Sequence, residues 1–336
     1  MTLPTPAEGV SDDHRAARSV GIGGAHAKAI VLGEHAVVYG APALALPIPQ
    51  LTVTASAGWS ARGAGDPGGV SFTTTGSPSR PMVTQASDSL TRLTAEFTRT
   101  MGQPHCPHLD VIIDGAIPHG RGLGSSAACA RAVVLALADL FGRKVSESEA
   151  FDLVQVAENV AHGRSSGVDA RAVAAGAPLL FTAGRIEDVA VGCDGLFIIA
   201  DSGAVGRTKD AVEMLREGFG RRPGAQEAFV DRATALTLKA RDALAAGAPQ
   251  ELGACLTQYH HLLAAASLST PAIDTLVRAA LDAGALGAKI TGGGLGGCVI
   301  ALTGPEGASE VTRRLHQAGA VQTWVVPLRG MADHAR

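Results

Sequence analysis

The sequence predicts an α+β protein of two domains, and three observations support this fold class. The chain has 336 residues, more than one hydrophobic core usually organises, so we expect about two domains of roughly 150 residues each. Apolar residues make up 46% of the chain and aromatic residues only 4%, which indicates a core of small aliphatic side chains around tight glycine turns. Strand-like segments come first, helical segments follow, and a β-α-β segment ends the chain.

The change from strand-like to helical segments sets the predicted domain boundary. We assign residues 1–20 to a disordered tail, 21–195 to an N-terminal domain and 196–336 to a C-terminal domain. The tail has four charged residues between positions 12 and 18 and no apolar run. It therefore lacks the apolar core of a secretory signal.

Short apolar runs separated by glycine and proline predict a sheet at the start of the chain. The predicted strands cover residues 26–32, 36–39, 44–48 and 51–57. Residues 58–80 are mostly Gly, Ser, Thr, Pro and Ala, a composition typical of a flexible loop or a ragged hairpin. A helix over residues 87–100 and a strand over 109–114 then lead to a glycine-rich loop.

Two helices are predicted after that loop. The first has an apolar stripe typical of a buried face, formed by Ala130, Val134, Leu137 and Phe141. Ser146 and Glu149 form an S-x-x-E capping box that begins the second helix. Glu158 lies beside the apolar stripe of this second helix, where a glutamate by itself indicates only a solvated helix edge.

The rest of the chain is predicted as three strands, a helical region and a final β-α-β segment. The strands cover residues 179–181, 186–191 and 196–201, and the helices cover 208–217, 225–246, 249–268 and 271–283. The final segment has strands at 288–290, 298–302 and 322–327 and a helix at 308–317.

Charge and cysteine usage exclude several classes of protein. The formal net charge of −3 provides no basic field for a nucleic acid. The five cysteines are scattered and form no C-x-x-C pair, which argues against a disulfide framework and favours a reducing, cytoplasmic location. The longest apolar helix is interrupted by Arg131 and Asp139 and is too short for a bilayer. We therefore expect neither a nucleic-acid partner nor a membrane span.

The first glycine loop, residues 118–126, predicts a phosphate site. Gly120, Gly122 and Gly124 let the backbone approach a ligand closely, and Ser125 and Ser126 open a helix whose free N–H groups attract anions. The chain contains no G-x-x-x-x-G-K-[ST] string, so this is not a Walker A loop. An isolated match of this kind is as consistent with a glycine turn and a serine N-cap as with a ligand site.

Two further loops are ambiguous alone. Residues 292–297 satisfy G-x-G-x-x-G but run into a strand instead of opening a helix, so a dinucleotide fingerprint is disfavoured and a mobile loop that closes over phosphates fits better. Residues 165–169 direct Asp169 out of a tight turn, and one aspartate after a glycine usually indicates turn chemistry only.

Together with an N-terminal motif, these loops resemble the GHMP kinases, and within them the mevalonate kinase family. The motif is K-A-I-V-L-G-E-H-A-V-V-Y-G at residues 28–40, and the resemblance spans nearly the whole chain. G-E-H-A-V-V-Y-G separates the mevalonate kinases from galactokinases, which carry G-E-H-T-D-Y there. K-I-T-G-G-G-L-G-G-C at 289–298, and D-S-G at 201–203 with R-T-K at 207–209, are similar to further family segments.

The resemblance implies a two-domain GHMP kinase fold, ATP and Mg²⁺ as cofactors, and mevalonate as the small-molecule substrate. Residues 21–195 would form a mixed α/β domain for ATP binding and catalysis. Residues 196–336 would form a ferredoxin-like α+β domain with a glycine-rich lid loop. The oligomeric state stays open between a monomer and a homodimer.

The resemblance also implies roles for individual residues. Asp169 would be the base and Lys28 its partner, and Ser126 and Glu158 would hold Mg²⁺. Without the resemblance, Lys28 and Asp169 are more simply explained as a structural ion pair. The residues implied to bind ATP are Pro118, Gly120, Gly122, Leu123, Gly124, Ser125, Ser126, Gly293 and Gly294. The residues implied on the substrate side are Glu34, His35, Ser166, Gly167 and Thr291.

The chain departs from the family pattern at several positions. His26-Ala27-Lys28 stands where the family has P-G-K, and Leu295 replaces a customary glycine. Related functions also stay open: phosphomevalonate kinase, mevalonate 3-kinase, diphosphomevalonate decarboxylase, or a nucleotide-binding sensor without catalysis.

Overall fold

The computed structural model describes residues 19–60, 69–75, 82–102, 108–163 and 165–329. Residues 20–188 supply one sheet and residues 196–327 supply another. The strands of the first sheet are β1 (Val20–Leu32), β2 (Ala43–Trp59), β3 (Val70–Thr75), β4 (Leu109–Gly115), β5 (Leu179–Thr182) and β6 (Arg185–Asp188). They are ordered β3-β4-β2-β5-β6, with β1 antiparallel to β2.

Helices cover one face of this sheet. They are α1 (Met82–Thr100), α2 (Ser125–Leu140), α3 (Glu147–His162) and the short α4 (Val168–Ala172). Helix α2 lies directly on β1, because a Cβ atom at Gly21 or Gly23 would stand 2.2 Å from a carbonyl oxygen of α2. Only glycine permits so close an approach. The contact brings the start of α2 beside Lys28 in the middle of β1.

The second sheet has the ferredoxin-like arrangement. Its strands are β7 (Leu196–Asp201), β8 (Gly287–Thr291), β9 (Cys298–Thr303) and β10 (Gln322–Pro327), in the order β10-β7-β9-β8. The intervening helices are α5 (Thr208–Gly220), α6 (Ala225–Ala246), α7 (Pro249–Ala265), α8 (Pro271–Asp282) and, between β9 and β10, α9 (Ala308–Gln317). The β-α-β-β-α-β order and the strand arrangement confirm the predicted fold class.

The structure corrects two sequence predictions near the N-terminus. Residues Ala36–Tyr39 form a 3-10 helix, not a strand, because His35 before it and Gly40 after it both have positive φ and turn the chain. The strands predicted at 44–48 and 51–57 are one strand, β2, whose register with β1 shifts after Ile48. Pro49 lies at this irregularity, between Ile48 and Thr52, where a missing N–H is tolerated.

The remaining differences concern short or irregular segments. Within the region predicted as a loop at 58–80, Val70–Thr75 is a strand parallel to β4, whereas residues 61–68 and 76–81 lie outside the described part of the chain. The predicted tail lies there too, apart from its last two residues. The sequence analysis did not predict α4. In the described part of the chain, no helix has the length and apolar character needed to cross a membrane.

Candidate active site

The glycine loop at residues 118–126 connects β4 to α2 and turns through three left-handed residues. Gly120, Gly122 and Gly124 have φ of +66°, +78° and +73°, and Gly124 is the residue before α2. No side chain caps the first turn of α2, so its amide groups remain available to an anion. This geometry suits a phosphate group.

The same loop is held tightly against β1. The Lys28 amide donates to the Leu123 carbonyl at 3.1 Å, and the Lys28 ammonium donates to the Gly122 carbonyl at 3.1 Å. A Cβ atom at Gly124 would lie 2.8 Å from the Lys28 side chain. Lys28 is therefore fixed directly beneath the loop.

Lys28 and Asp169 form the ion pair that the sequence analysis anticipated. Their Nζ and Oδ1 atoms are 2.9 Å apart, and the side chains are 2% and 31% exposed. Asp169 is the second residue of α4, which follows Gly167 in the left-handed conformation with φ of +90°. Ser166 accepts a hydrogen bond from the Val168 amide at 3.4 Å, so it shapes this turn. The turn directs the Asp169 carboxylate to an open side of the pair.

Glu158 lies in a buried position beside this pair. It is 3% exposed, so the structure excludes the solvated helix edge suggested by its position beside an apolar stripe. Ser126 forms a side-chain hydrogen bond with it, and its Oε1 atom has no hydrogen-bond partner. Burial and the nearby Asp169 carboxylate raise the pKa of Glu158 to about 7, against the opposing effects of Ser126 and Lys28.

The Ser126 and Glu158 side chains fit a divalent cation. A carboxylate with an unsatisfied buried oxygen, next to a hydroxyl, supplies the hard oxygen donors that Mg²⁺ prefers. The described residues contain no group of three or more His, Cys, Asp or Glu side chains arranged for a metal. A cation held by Ser126 and Glu158 would therefore need phosphate oxygens and water to complete its ligand shell.

Glu34 and His35 form a buried turn on the other side of the site. His35 has φ of +63°, which is uncommon for a residue other than glycine. The Glu34 Oε2 and His35 Nε2 atoms are buried without hydrogen-bond partners. Burial, with a smaller effect of the Lys289 charge, lowers the pKa of His35 to about 4, so its ring is neutral at pH 7.

The glycine loop at residues 292–297 packs against His35 and against the glycine loop at residues 118–126. A Cβ atom at Gly294 would stand 3.0 Å from His35 Nε2, and one at Gly122 would stand 2.9 Å from the Gly292 Cα atom. Leu295 is buried and has φ of +57°, so it occupies the conformation that a glycine would favour. In this structure the loop is a packed wall of the site.

Thr291 lies at the base of this loop but turns away from the site. Its side chain is fully buried, accepts a hydrogen bond from the Ile30 amide at 3.2 Å and donates one to the Ile30 carbonyl at 2.8 Å. The hydroxyl predicted on the substrate side is thus engaged in joining β1 to β8.

A segment after β7 joins the two glycine loops. The Gly206 amide donates to the Gly120 carbonyl at 2.8 Å, and the Arg207 amide donates to the Gly294 carbonyl at 3.1 Å. Gly293 packs so closely on Thr208 that a Cβ atom would overlap the threonine hydroxyl. The walls of the site therefore come from both sheets.

Sequence reasoning missed several residues that build the site. Lys289 contacts the Glu34 carboxylate, and the Tyr259 hydroxyl donates to the Glu34 carbonyl at 3.0 Å. Arg121 pairs with Asp201 at 2.9 Å and donates to the Gly203 carbonyl. A lysine within an apolar strand was a readable signal for Lys289, whereas Tyr259 lies in an ordinary amphipathic helix and gave none.

Comparison with known proteins agrees with this geometry. The family models described as "GHMP kinases N terminal domain" and "GHMP kinases C terminal" match residues 88–177 and 240–321. The chain is 33% identical over 327 residues to a mevalonate kinase of Thermococcus sibiricus, covering 88% of this chain and 93% of that protein. It is 35% identical over 311 residues to one of Thermococcus onnurineus, with coverage of 88% and 92%.

A solved structure shares the fold. The crystal structure of L. major mevalonate kinase in complex with R-mevalonate superposes with a TM-score of 0.76 at 23% sequence identity, covering 94% of this chain and 97% of that one. At this identity the superposition supports the fold alone.

Proposed function

The chain belongs to the mevalonate kinase family of the GHMP kinases, and we propose that Lys28 and Asp169 perform its phosphoryl transfer. The reaction moves the γ-phosphoryl group of ATP to the C5 hydroxyl of mevalonate and gives 5-phosphomevalonate and ADP. The observation that supports our assignment is the Lys28–Asp169 pair, which lies directly beneath the glycine loop with its carboxylate facing outward.

In this proposal the glycine loop binds the phosphates of ATP. The amides of the first turn of α2 donate to phosphate oxygens, and the left-handed glycines let the backbone come close enough to do so. Ser126 and Glu158 would hold Mg²⁺, which would neutralise phosphate charge. The buried, unpartnered Oε1 atom of Glu158 supports this role.

Asp169 accepts the proton of the mevalonate C5 hydroxyl as that oxygen bonds to phosphorus. The alcohol is a weak nucleophile in its neutral form, so a carboxylate within hydrogen-bond reach assists the attack. Lys28 pairs with Asp169 and places a fixed positive charge at the glycine loop, where negative charge accumulates as the phosphoryl group moves. His35, neutral at pH 7, and Glu34 lie on the opposite wall and line the acceptor side.

A substrate panel tests the function. Purified protein with Mg²⁺-ATP is offered mevalonate, phosphomevalonate, homoserine or galactose in turn, and ADP release is measured. We expect ADP release with mevalonate only. Release with phosphomevalonate in its place would assign a related enzyme of the family, and no release with any acceptor would indicate a nucleotide-binding sensor.

A further inference from the structure

We propose that Lys289 and Tyr259 are positioning residues for the acceptor side of the site, because they hold the Glu34–His35 turn in a conformation with positive φ at His35. The inference rests on the proposed function and adds to it. Neither side chain is assigned a contact with ATP or with the acceptor. Their effect reaches the acceptor through the turn that they fix.

The first support is the burial of the Glu34–Lys289 pair. Lys289 is fully buried, the Glu34 side chain is 4% exposed, and the Lys289 ammonium also contacts the Ile290 carbonyl. Burial raises the pKa of Glu34 and lowers that of Lys289, while each partner's charge opposes the shift of the other. An ion pair this deep is costly to desolvate and is weak evidence for stability, so a positioning role accounts for it better.

The second support is that the turn is also held by a residue of helix α7, which packs on the second sheet. Tyr259, on α7, donates its hydroxyl to the Glu34 carbonyl at 3.0 Å, in a fully buried position. Its ring lies 5.5 Å from the Lys289 ammonium. Glu34 is thus held at two groups by residues more than 220 positions away in the chain. Lys289 contacts its carboxylate, and Tyr259 donates to its carbonyl.

The third support is the conformation that these contacts maintain. A histidine at φ of +63° costs on the order of 1 kcal/mol or more, and such strain persists only where surrounding contacts enforce it. In this conformation the Glu34 Oε2 and His35 Nε2 atoms are both buried and unpartnered, and the His35 ring lies against Gly294. Relaxation of the turn would move the acceptor-side atoms while the glycine loop above Lys28 keeps its own contacts.

The test separates the acceptor from the nucleotide. Tyr259→Phe removes one hydroxyl, and Tyr39→Phe is its control, because Tyr39 is the other tyrosine of the chain. We expect Tyr259→Phe to raise the KM for mevalonate about three- to tenfold, the worth of one buried hydrogen bond, and to leave the KM for ATP within about twofold. Tyr39→Phe should change neither.

A variant that removes one partner of the Glu34–Lys289 pair is expected to be unstable, so its test needs a second variant that removes both charges. Lys289→Met alone leaves Glu34 buried without a partner, so it is compared with the double variant Glu34→Gln/Lys289→Met and with the exposed control Lys239→Met. The double variant should recover thermal stability relative to Lys289→Met but keep a KM for mevalonate at least about tenfold above wild type, with ATP affinity retained.

Two results would overturn the inference while leaving the function intact. One is an active wild type whose KM for mevalonate is unchanged in Tyr259→Phe and in the double variant. The other is an equal rise in the KM values for mevalonate and ATP, which indicates general loosening of the fold. A wild type that releases no ADP with mevalonate contradicts the proposed function itself.

Discussion

The site contains two lysine–carboxylate pairs with the same chemistry and different surroundings. Lys28 and Lys289 are both almost completely buried, but Asp169 is 31% exposed and the Glu34 side chain only 4%. Lys28 contributes to the electrostatic environment of both Glu34 and Lys289, so the pairs lie in one neighbourhood. The difference is where the carboxylate points: one opens to the site, and the other is enclosed.

This difference separates chemistry from positioning. A carboxylate with an open side can accept a proton from a substrate, whereas an enclosed carboxylate that is already paired with a lysine holds its surroundings in place. A buried lysine paired with a carboxylate is by itself uninformative about function. The exposure of the partner, and the unsatisfied atoms around it, carry the information.

The largest expected effect comes from removing the positive charge of the open pair. Lys28→Met should lower kcat about 100- to 1,000-fold, the usual cost of losing one preorganised group that stabilises the transition state. The thermal unfolding temperature should change little, because Asp169 can be solvated. Steady-state kinetics and calorimetry on Lys28→Met, with Lys239→Met as a control, check both statements. A large loss of stability with intact kcat would show instead that the Lys28–Asp169 pair has a structural role.

The buried Glu34–His35 turn should make the stability of the protein depend on pH. The pKa of His35 is about 4 in the folded protein and 6.5 in the unfolded chain, so below pH 6.5 the unfolded state binds the extra proton. The free energy of unfolding should therefore fall by about 1.4 kcal/mol per pH unit between pH 6.5 and 4, to a total of about 3 kcal/mol. Denaturant unfolding of wild type and His35→Gln measures the difference. Identical pH profiles would show that His35 is not buried in its neutral form.

Glu158 is a third carboxylate of the site, and its removal tests the proposed metal site. Glu158→Gln should raise the Mg²⁺ concentration needed for half-maximal activity by about 10- to 100-fold, because it replaces the buried, unpartnered oxygen proposed to hold the cation. Titration of Mg²⁺ at fixed ATP measures this, with Glu149→Gln on the same helix as the control. An unchanged Mg²⁺ requirement would remove Glu158 from the proposed metal site.

The smallest expected effect concerns the glycine loop above Lys28. Gly122→Ala should raise the KM for ATP about tenfold, since its Cβ atom would lie 2.9 Å from Gly292. Gly224→Ala is a matched control with nearly the same φ, +81° against +78°, and nothing within 4 Å. Gly224→Ala should lose about 1 kcal/mol of unfolding free energy from the left-handed conformation, and Gly122→Ala should lose more because of its backbone contact. Equal KM values would mean that the loop tolerates the contact.

Most regular elements could be predicted from the sequence, because their signals are local. The capping box of Ser146 and Glu149 begins α3 as expected, and α6, α9 and β10 have the predicted bounds. The strand predicted at Ala36–Tyr39 was wrong, because a run of four apolar residues does not distinguish a strand from a 3-10 helix. The deciding feature, the positive φ of His35, is imposed from another part of the molecule.

The candidate site likewise has contacts that could be predicted from the sequence and contacts that could not. Lys28, Asp169 and the glycine loop are adjacent in the structure as the motifs led us to expect, since each motif is contiguous in the sequence. The Glu34–Lys289 contact joins residues 255 positions apart, and Tyr259 lies 225 positions from the carbonyl it holds. Contacts at that separation depend on how the two sheets pack, which no local pattern reports.

The most direct test of this account is the single-turnover rate of phosphoryl transfer in Asp169→Asn, measured beside Glu34→Gln with both substrates saturating. These matched amide substitutions differ only in which pair they neutralise. We predict that Asp169→Asn slows the transfer about 10²- to 10³-fold and also lowers stability, because Lys28 is left buried without its carboxylate, whereas Glu34→Gln lowers stability and slows the transfer far less. Near wild-type transfer by Asp169→Asn would contradict the account.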